Sequence, residues 1–278
     1  MKYFDYMQHT PIIKYCINSK VVDVKREDMF AMPPAPQLAK LRGVYKYIKN
    51  LKKQGYNTIA AYDTRVSHAG WGVACICKEL GLKCILFYPK LKDKPTERQQ
   101  LFCEFLVAKL KPLAGGRTRI LYGQAKKYCD ENNIHLLPLG LVCVETTMEV
   151  VKEAKRINKN YGTVVICSGT GTITSGVLLG LQNKFKKFIA ISAGMNPEEQ
   201  KERITKLWKE YEKRTDKKVD FNLLKKLEII VSDTDYYTPE YGECPFPAHE
   251  YYDMKAWNWL MKNYEKLPKP ILFWNIGA

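Results

Sequence analysis

The stretch GTVVICSGTGTITSGVLLGLQ, residues 162–182, decides the fold class. Its first part, Thr163–Cys167, is β-branched and apolar without alternation, the pattern of a strand buried on both faces. The chain then turns within five residues, Ser168-Gly169-Thr170-Gly171-Thr172, and continues as an apolar run of helical length. A fully buried strand feeding directly into a helix is half of a βαβ unit, and such units build parallel sheets.

The same alternation extends in both directions. KVVDVKR (20–26) reads as a short strand, and residues 37–54 read as a helix that ends at Gly55. NTIAAYD (57–63) is a strand, HAGWGVACICKELG (68–81) a helix closed by Gly81, and KCILFYP (83–89) a strand stopped at its proline. Residues 93–103 read as the next helix, GGRTRILYG (115–123) as a loop with a short strand, and QAKKYCDENN (124–133) as a helix. IHLLPLGL is a strand or extended link, and residues 144–160 form a charged helix. Beyond the opening stretch come the strand FIAISA, a long charged helix over 197–215, and the strand LEIIVSD. A helix over 250–264 and the strand PILFWNIG complete the pattern. The expectation is an α/β protein with parallel-rich twisted sheets and helices on both faces.

The turn itself carries chemistry. Gly169 and Gly171 allow a tight bend that aims several N–H groups at one point. The helix start adds its positive end, and Ser168, Thr170 and Thr172 add hydroxyls. Together they suit one phosphate group. The stretch is neither GxxxxGK[ST] nor GxGxxG, and the same residues would also serve as a plain strand-to-helix turn.

Composition narrows the partners. Of 278 residues, 45 are Lys or Arg and 29 are Asp or Glu, a net charge of +16. That balance favours polyanions such as nucleic acid, although a lysine-coated surface would give the same total. No apolar run approaches the roughly 18–20 residues of a membrane span. The N-terminal MKYFDYMQHTPIIKYC lacks the apolar core of a signal peptide, so a cytoplasmic location is expected. Nine cysteines without a CxxC pair indicate reduced thiols, with no disulfide framework and no metal site.

Several segments in order give the chain a family likeness: VKRED, then KLRGVYKYI, then AAYDTRVSHAGWGVACICKELGLKCILFYP, then SGTGT. From about Val21 to the C-terminus it resembles the fold-type-II pyridoxal-phosphate enzymes, the tryptophan synthase β-like superfamily. Within them it is most similar to the D-cysteine desulfhydrase and aminocyclopropane-carboxylate deaminase group, and threonine dehydratases share its KxRGxY segment. The resemblance implies a two-domain, three-layer fold, with residues 1–45 plus 151–278 as the large cofactor-binding domain and 46–150 as the small one. It also implies pyridoxal 5'-phosphate as cofactor and a homodimer.

It implies site residues as well. The family's Schiff-base lysine precedes a helix in GNKxRKLE. Matching K-x-R places it at Lys40 and runs without a gap to Gln54-Gly55. Matching KL instead puts Gln37 there, which would make an inactive relative. The proline run before Lys40 is uncharged and suits a buried amine, whose pKa must fall for it to act as a nucleophile. DTRVSHAG corresponds to the family's SNHA loop, with His68 in place and Ser67 standing where the family has Asn. The loop would hold the cofactor ring and the substrate carboxylate, with Thr64 and Arg65 facing the substrate. Ser168, Gly169, Thr170, Gly171 and Thr172 match the phosphate cup. PEYGECP and EYYDMKA resemble the group's GYG and PVYxGKA, which places Tyr241 and Tyr252 at the substrate as acid/base or packing groups. In LFWNIGA, Asn275 stands where the family sets Thr beside the pyridine nitrogen; a neutral partner there favours elimination over transamination.

The implied activity is that of a lyase or deaminase acting at Cα or Cβ of an amino acid through Lys40. The altered carboxylate loop and the net charge extend this to an amino acid attached to nucleic acid, as in viral DNA-base hypermodification, and hence to a viral protein in a host cytoplasm. If Gln37 holds the lysine position, the chain is instead a catalytically degenerate ligand- or nucleic-acid-binding module.

Overall fold

A computed structural model describes residues 3–4, 9–92, 95–106 and 108–277. In chain order the strands and helices are β1 (Ile12–Ile17), β2 (Lys20–Arg26), α1 (Leu41–Lys53), β3 (Thr58–Tyr62), α2 (Ala69–Leu80), β4 (Lys83–Lys90), α3 (Arg98–Phe105), β5 (Ala108–Ala114), α4 (Thr118–Glu131), β6 (His135–Leu136), α5 (Val144–Lys155), β7 (Tyr161–Ser168), α6 (Thr172–Leu181), β8 (Phe185–Ser192), α7 (Pro197–Thr215), β9 (Leu227–Val231), α8 (Asp253–Asn263) and β10 (Ile271–Asn275). No helix among the described residues is long and apolar enough to cross a membrane.

The described residues form two compact units. One draws on Met1–Tyr6, Ala31–Pro36 and Val44–Val142, the other on Met7–Phe30, Gln37–Gly43 and Cys143–Ala278. The larger unit holds a six-stranded sheet in the order β1-β2-β10-β7-β8-β9. All neighbours are parallel except β1, which pairs antiparallel with β2 through a turn at Asn18 and Ser19, both at positive φ. Every residue of β7 is buried, as befits a central parallel strand. Val165 and Cys167 join Val22, Val24, Ile189, Ile191 and Phe273 in a core closed by Trp257 and Leu260 of α8. Alternation puts Val164 and Ile166 on the opposite face, where α6 packs on β7 and β8. Helix α6 is buried along its whole length. Its Ile173, Val177, Leu178, Leu179 and Leu181 together contribute on the order of 10 kcal/mol of gross burial.

The smaller unit holds a four-stranded parallel sheet, β5-β4-β3-β6. Three local readings of the sequence need correction. RTRILYG is not loop and strand but the start of α4. Leu121, Ala125 and Cys129 lie four residues apart and are all buried, a helical face that the apolar run Ile120–Tyr122 disguises. The helix expected from residue 37 begins at Leu41, because Leu38 bridges to Gly277 and Ala39 N–H bonds the Ile276 carbonyl at 2.9 Å. The charged helix expected over 144–160 ends at Lys155. Strand β5 carries Lys109, Lys111 and Pro112, tolerated because it is an edge strand.

Candidate active site

Strand β7 ends at Ser168 and α6 starts at Thr172. Between them Gly171 takes φ 80°, ψ −4°, a left-handed conformation that any side chain would strain. Being glycine, it offers no side-chain acceptor to the helix. The first intrahelical bond runs from Ser175 N–H to Gly171 C=O at 2.8 Å. The N–H groups of Thr172, Ile173 and Thr174 therefore have no partner within the helix and sit at its positive end. Thr170 and Thr172 set their hydroxyls 2.9 Å apart in front of them.

The third hydroxyl of the turn is used otherwise. Ser168 Oγ donates to Gln200 Oε1 at 2.8 Å and accepts from Thr174 Oγ1 at 2.9 Å. Gln200 Nε2 in turn donates to Ser192 Oγ at 2.7 Å and to the Ser168 and Gly169 carbonyls at 3.2 and 3.3 Å. Gln200 is fully buried and knits β7, β8 and the turn together. It escaped the sequence reading, yet a signal exists. It lies on the buried stripe of α7 with Ile204, Leu207, Trp208 and Tyr211, and a polar residue on an apolar stripe needs a buried partner.

Lys40 occupies the turn before α1, and its Nζ donates to Thr170 Oγ1 at 3.3 Å. Its backbone is clamped. The Lys40 carbonyl accepts from Thr146 Oγ1 at 3.1 Å. Gly43 lies so close to α5 that an added Cβ would be 2.0 Å from Thr146 N. Arg42 reaches Glu27 with two bonds, 2.9 and 3.0 Å, and stacks over Phe30 at 4.2 Å. Glu27 also accepts from Thr10 Oγ1 and is fully buried. Gln37, three residues earlier, meets Gly277 through its main chain; a Cβ on Gly277 would stand 2.5 Å from the Gln37 carbonyl. The side chain described at the turn is that of Lys40.

Tyr252 flanks the same turn, its ring edge 3.6 Å from where a Cβ on Gly169 would lie. Its hydroxyl shares a short hydrogen bond with Tyr236, and its ring meets His249 edge-on. Tyr236 belongs to YYTPEYG and was not singled out in the sequence, where Tyr241 of the same segment was preferred. Tyr241 is 77% exposed. Lys255 donates to the Asp235 and Thr234 carbonyls and fixes the segment that carries Tyr236. Burial holds its ammonium below the ordinary lysine range. Asn275 is buried, donating from Nδ2 to the Pro247 carbonyl at 2.8 Å and accepting from Gly277 N–H at 3.4 Å. Beside it, Asp253 Oδ1 accepts from Ile276 N–H at 2.9 Å, and complete burial pushes this carboxyl well above the usual range.

The expected cofactor and substrate loop belongs to the smaller unit and is internally satisfied. Asp63 accepts from Thr64 N–H at 3.0 Å and Gly70 N–H at 2.7 Å. Ser67 Oγ accepts from Ala69 N–H at 3.0 Å. Arg65 is ion-paired with Glu97. Gln99 and Gln100 bond the Arg65 and Thr64 carbonyls. His68 stands at the N-cap of α2, its ring against Trp71.

A lysine amine beside hydroxyls and uncapped helix N–H groups is a donor set for a phosphorylated aldehyde. The model of the pyridoxal-phosphate dependent enzyme family matches residues 39–235. The chain belongs to that family. A glycyl-dTMP PLP-dependent decarboxylase of Pseudomonas phage M6 is 33% identical over 290 residues, spanning 98% of this chain and 99% of that one. A 1-aminocyclopropane-1-carboxylate deaminase of Pseudomonas syringae pv. tomato is 30% identical over 105 residues, covering 37% of this chain and 30% of its own. In structure, an ACC deaminase homologue superposes with a TM-score of 0.84 at 18% identity, covering 99% of this chain and 90% of that one. The fold is thus the fold-type-II, tryptophan synthase β-like one that the sequence implied, and pyridoxal phosphate is the family's cofactor. The residues present fit it. Thr170, Thr172 and the first N–H groups of α6 would hold the phosphate, and Lys40 would hold the aldehyde carbon. When bound, pyridoxal phosphate supplies an electron sink for a bond broken at the substrate's Cα.

Proposed function

We propose that the protein removes the α-carboxyl group, as carbon dioxide, from an amino acid carried on a pyrimidine nucleotide. The observation that carries this reading is Lys40 Nζ at 3.3 Å from Thr170 Oγ1, at the uncapped start of α6. It is supported by the end-to-end similarity to a protein named as a glycyl-dTMP decarboxylase.

Each group has a task in the proposed reaction. Lys40 would hold the cofactor's aldehyde carbon, and its amine, when not so engaged, can carry a proton. Tyr252, sharing its hydroxyl hydrogen bond with Tyr236, is a second proton carrier flanking the turn. One of them returns a proton to the carbon that loses carbon dioxide. Asn275 offers a neutral amide, held by Pro247 and Gly277, where the family sets its pyridine-nitrogen partner.

In the loop that the family likeness assigns to the substrate carboxylate, Asp63–Ala69, the polar groups are engaged within the smaller unit. A substrate carboxylate that is to be kept is best held by an unpaired cation and free donors. Here Arg65 already has Glu97, and Ser67 Oγ has Ala69 N–H. A carboxylate that lacks an ionic grip loses less stabilisation when it leaves. The degenerate alternative rested on Gln37, and the contacts of Gln37 and Lys40 with Gly277 and Thr170 do not favour it.

The test is incubation of the cofactor-loaded protein with glycyl-dTMP labelled at the carboxyl carbon. The expected result is labelled carbon dioxide and retention of the amine. Release of ammonia with the carboxyl carbon kept would overturn decarboxylation in favour of deamination.

A further inference from the structure

The tyrosines at the turn continue beyond Tyr252. They form a row along the carboxyl edge of the larger unit's sheet, where ligands of open parallel sheets gather. Tyr252 lies against Gly169 at the exit of β7. Tyr236 lies at the exit of β8, where a Cβ on Gly194 would be 3.0 Å from the Tyr236 Cβ. The chain leaving β9 runs beside that exit, with Ser232 N–H bonded to the Ser192 carbonyl at 3.0 Å. The Tyr252 and Tyr236 rings meet edge-on with centroids 5.8 Å apart, and the Tyr236 and Tyr237 rings do the same at 4.9 Å. Tyr252 and Tyr236 are half-buried, whereas Tyr237 is 54% exposed.

Tyr237 is exposed but anchored. Asp235 Oδ1 accepts from Tyr237 N–H at 2.7 Å, and Asp235 Oδ2 accepts from the Thr238 hydroxyl at 2.7 Å. These two bonds hold the Asp235 carboxyl below its ordinary range. Buried Lys255 donates to the Asp235 carbonyl from the other side. An aromatic ring already fixed in place loses little freedom when a flat ligand covers it. The reaction read above leaves such a ligand to be accommodated. The amino-acid end of the substrate must reach Lys40 at the turn, so its pyrimidine lies outward from there. Every base has a π-face that stacks on an aromatic side chain, and Tyr237 is the ring of the row that solvent reaches.

We propose that Tyr237 is the stacking platform for the pyrimidine base of the substrate nucleotide, with Tyr236 supporting its ring edge-on. This rests on the nucleotide-linked reading above and adds the residue that recognises the base. Tyr237 binds and orients; it carries no proton in the reaction.

The test is calorimetric titration of the cofactor-loaded protein with dTMP, which has the base but no carboxyl group to lose. Loading the cofactor keeps the dTMP phosphate out of the turn. Tyr237→Ala should weaken binding about 5- to 100-fold, and Tyr237→Phe, which keeps the ring, should stay within about 2-fold of the unmodified protein. Phe105→Ala removes an aromatic ring that is 82% exposed in the smaller unit and should change nothing. No dTMP binding by the unmodified protein, equal binding by Tyr237→Ala, or a loss that Tyr237→Phe shares would overturn the platform. Carbon dioxide release from glycyl-dTMP is followed in parallel, and Tyr237→Ala should raise KM more than it lowers kcat. If dTMP binding depends on the Tyr237 ring but no carbon dioxide is released, the decarboxylase reading falls and the platform stands. If carbon dioxide is released and Tyr237→Ala changes neither KM nor dTMP affinity, the platform falls and the reading stands.

Discussion

The turn Ser168–Thr172 and the loop Asp63–Ala69 start from similar material. Each follows a buried parallel strand, leads into a buried helix and carries hydroxyl side chains. They end differently. At the turn, Gln200 holds Ser168 and two carbonyls from behind, which leaves Thr170, Thr172 and three helix N–H groups at the front with Lys40. At the loop, Ser67 Oγ is taken by Ala69 N–H and Arg65 is matched by Glu97. What a polar residue can offer a ligand depends on whether a neighbour has already engaged it.

Mutations can break or sharpen that contrast. Lys40→Ala should have the largest effect, a loss of carbon dioxide release on the order of 10³-fold or more. Visible absorbance of retained cofactor should disappear with it, at unchanged melting temperature. Full activity in this variant would remove the turn from the chemistry. Next comes Glu27→Ala, which leaves Arg42 buried without its partner and should cost about 3–5 kcal/mol in urea unfolding. Activity should fall too, because Arg42 sets the start of α1 two residues after Lys40. A stability change within about 0.5 kcal/mol would mean that the clamp is dispensable.

Gln200→Ala strands Ser168 and Ser192 in the core and should cost about 1–3 kcal/mol. Cofactor retention in dialysis should weaken as well; tight retention would show that the turn keeps its shape unaided. Asp253 supplies the pH dependence. Its carboxyl is raised by burial, so the folded protein keeps it neutral where the unfolded chain ionises above about 3.8. Ionisation of the unfolded state then erodes stability as pH rises through that window. Asp253→Asn keeps the acceptor for Ile276 and should melt progressively higher than the unmodified protein as pH increases; a pH-independent difference would contradict the assignment. The smallest effect belongs to Ser67→Ala, about 1 kcal/mol from one lost hydrogen bond, with cofactor retention unchanged. A loss of cofactor comparable to that of Lys40→Ala would place Ser67 at the ligand and erase the contrast.

Much of this was legible without coordinates. Thr163–Cys167 announces a buried strand by its composition, and the alternation on either side of it announces parallel sheets. The order of KLRG, SHAG and SGTGT points to the family and its cofactor. The strands and sheets are local properties, set by side-chain periodicity and by the few backbone shapes that Gly-rich turns allow, whereas the family and cofactor come from the resemblance of those motifs. What the sequence left open, or placed wrongly, depends on partners far along the chain. Two lysine registers, at Lys40 and Gln37, fitted the motif. The tertiary structure brings Lys40 to a hydroxyl 130 residues away, because Ala39 is bound to the end of β10. Ser168 reads as a phosphate ligand in the sequence, and the fold gives its hydroxyl a partner in Gln200, 32 residues later. Tyr241 and Tyr236 share one segment, and only the fold sends the first to solvent and joins the second to Tyr252. A sequence specifies its own donors and acceptors, but which of them remain available for a ligand is settled only when distant segments pack and the buried ones find partners.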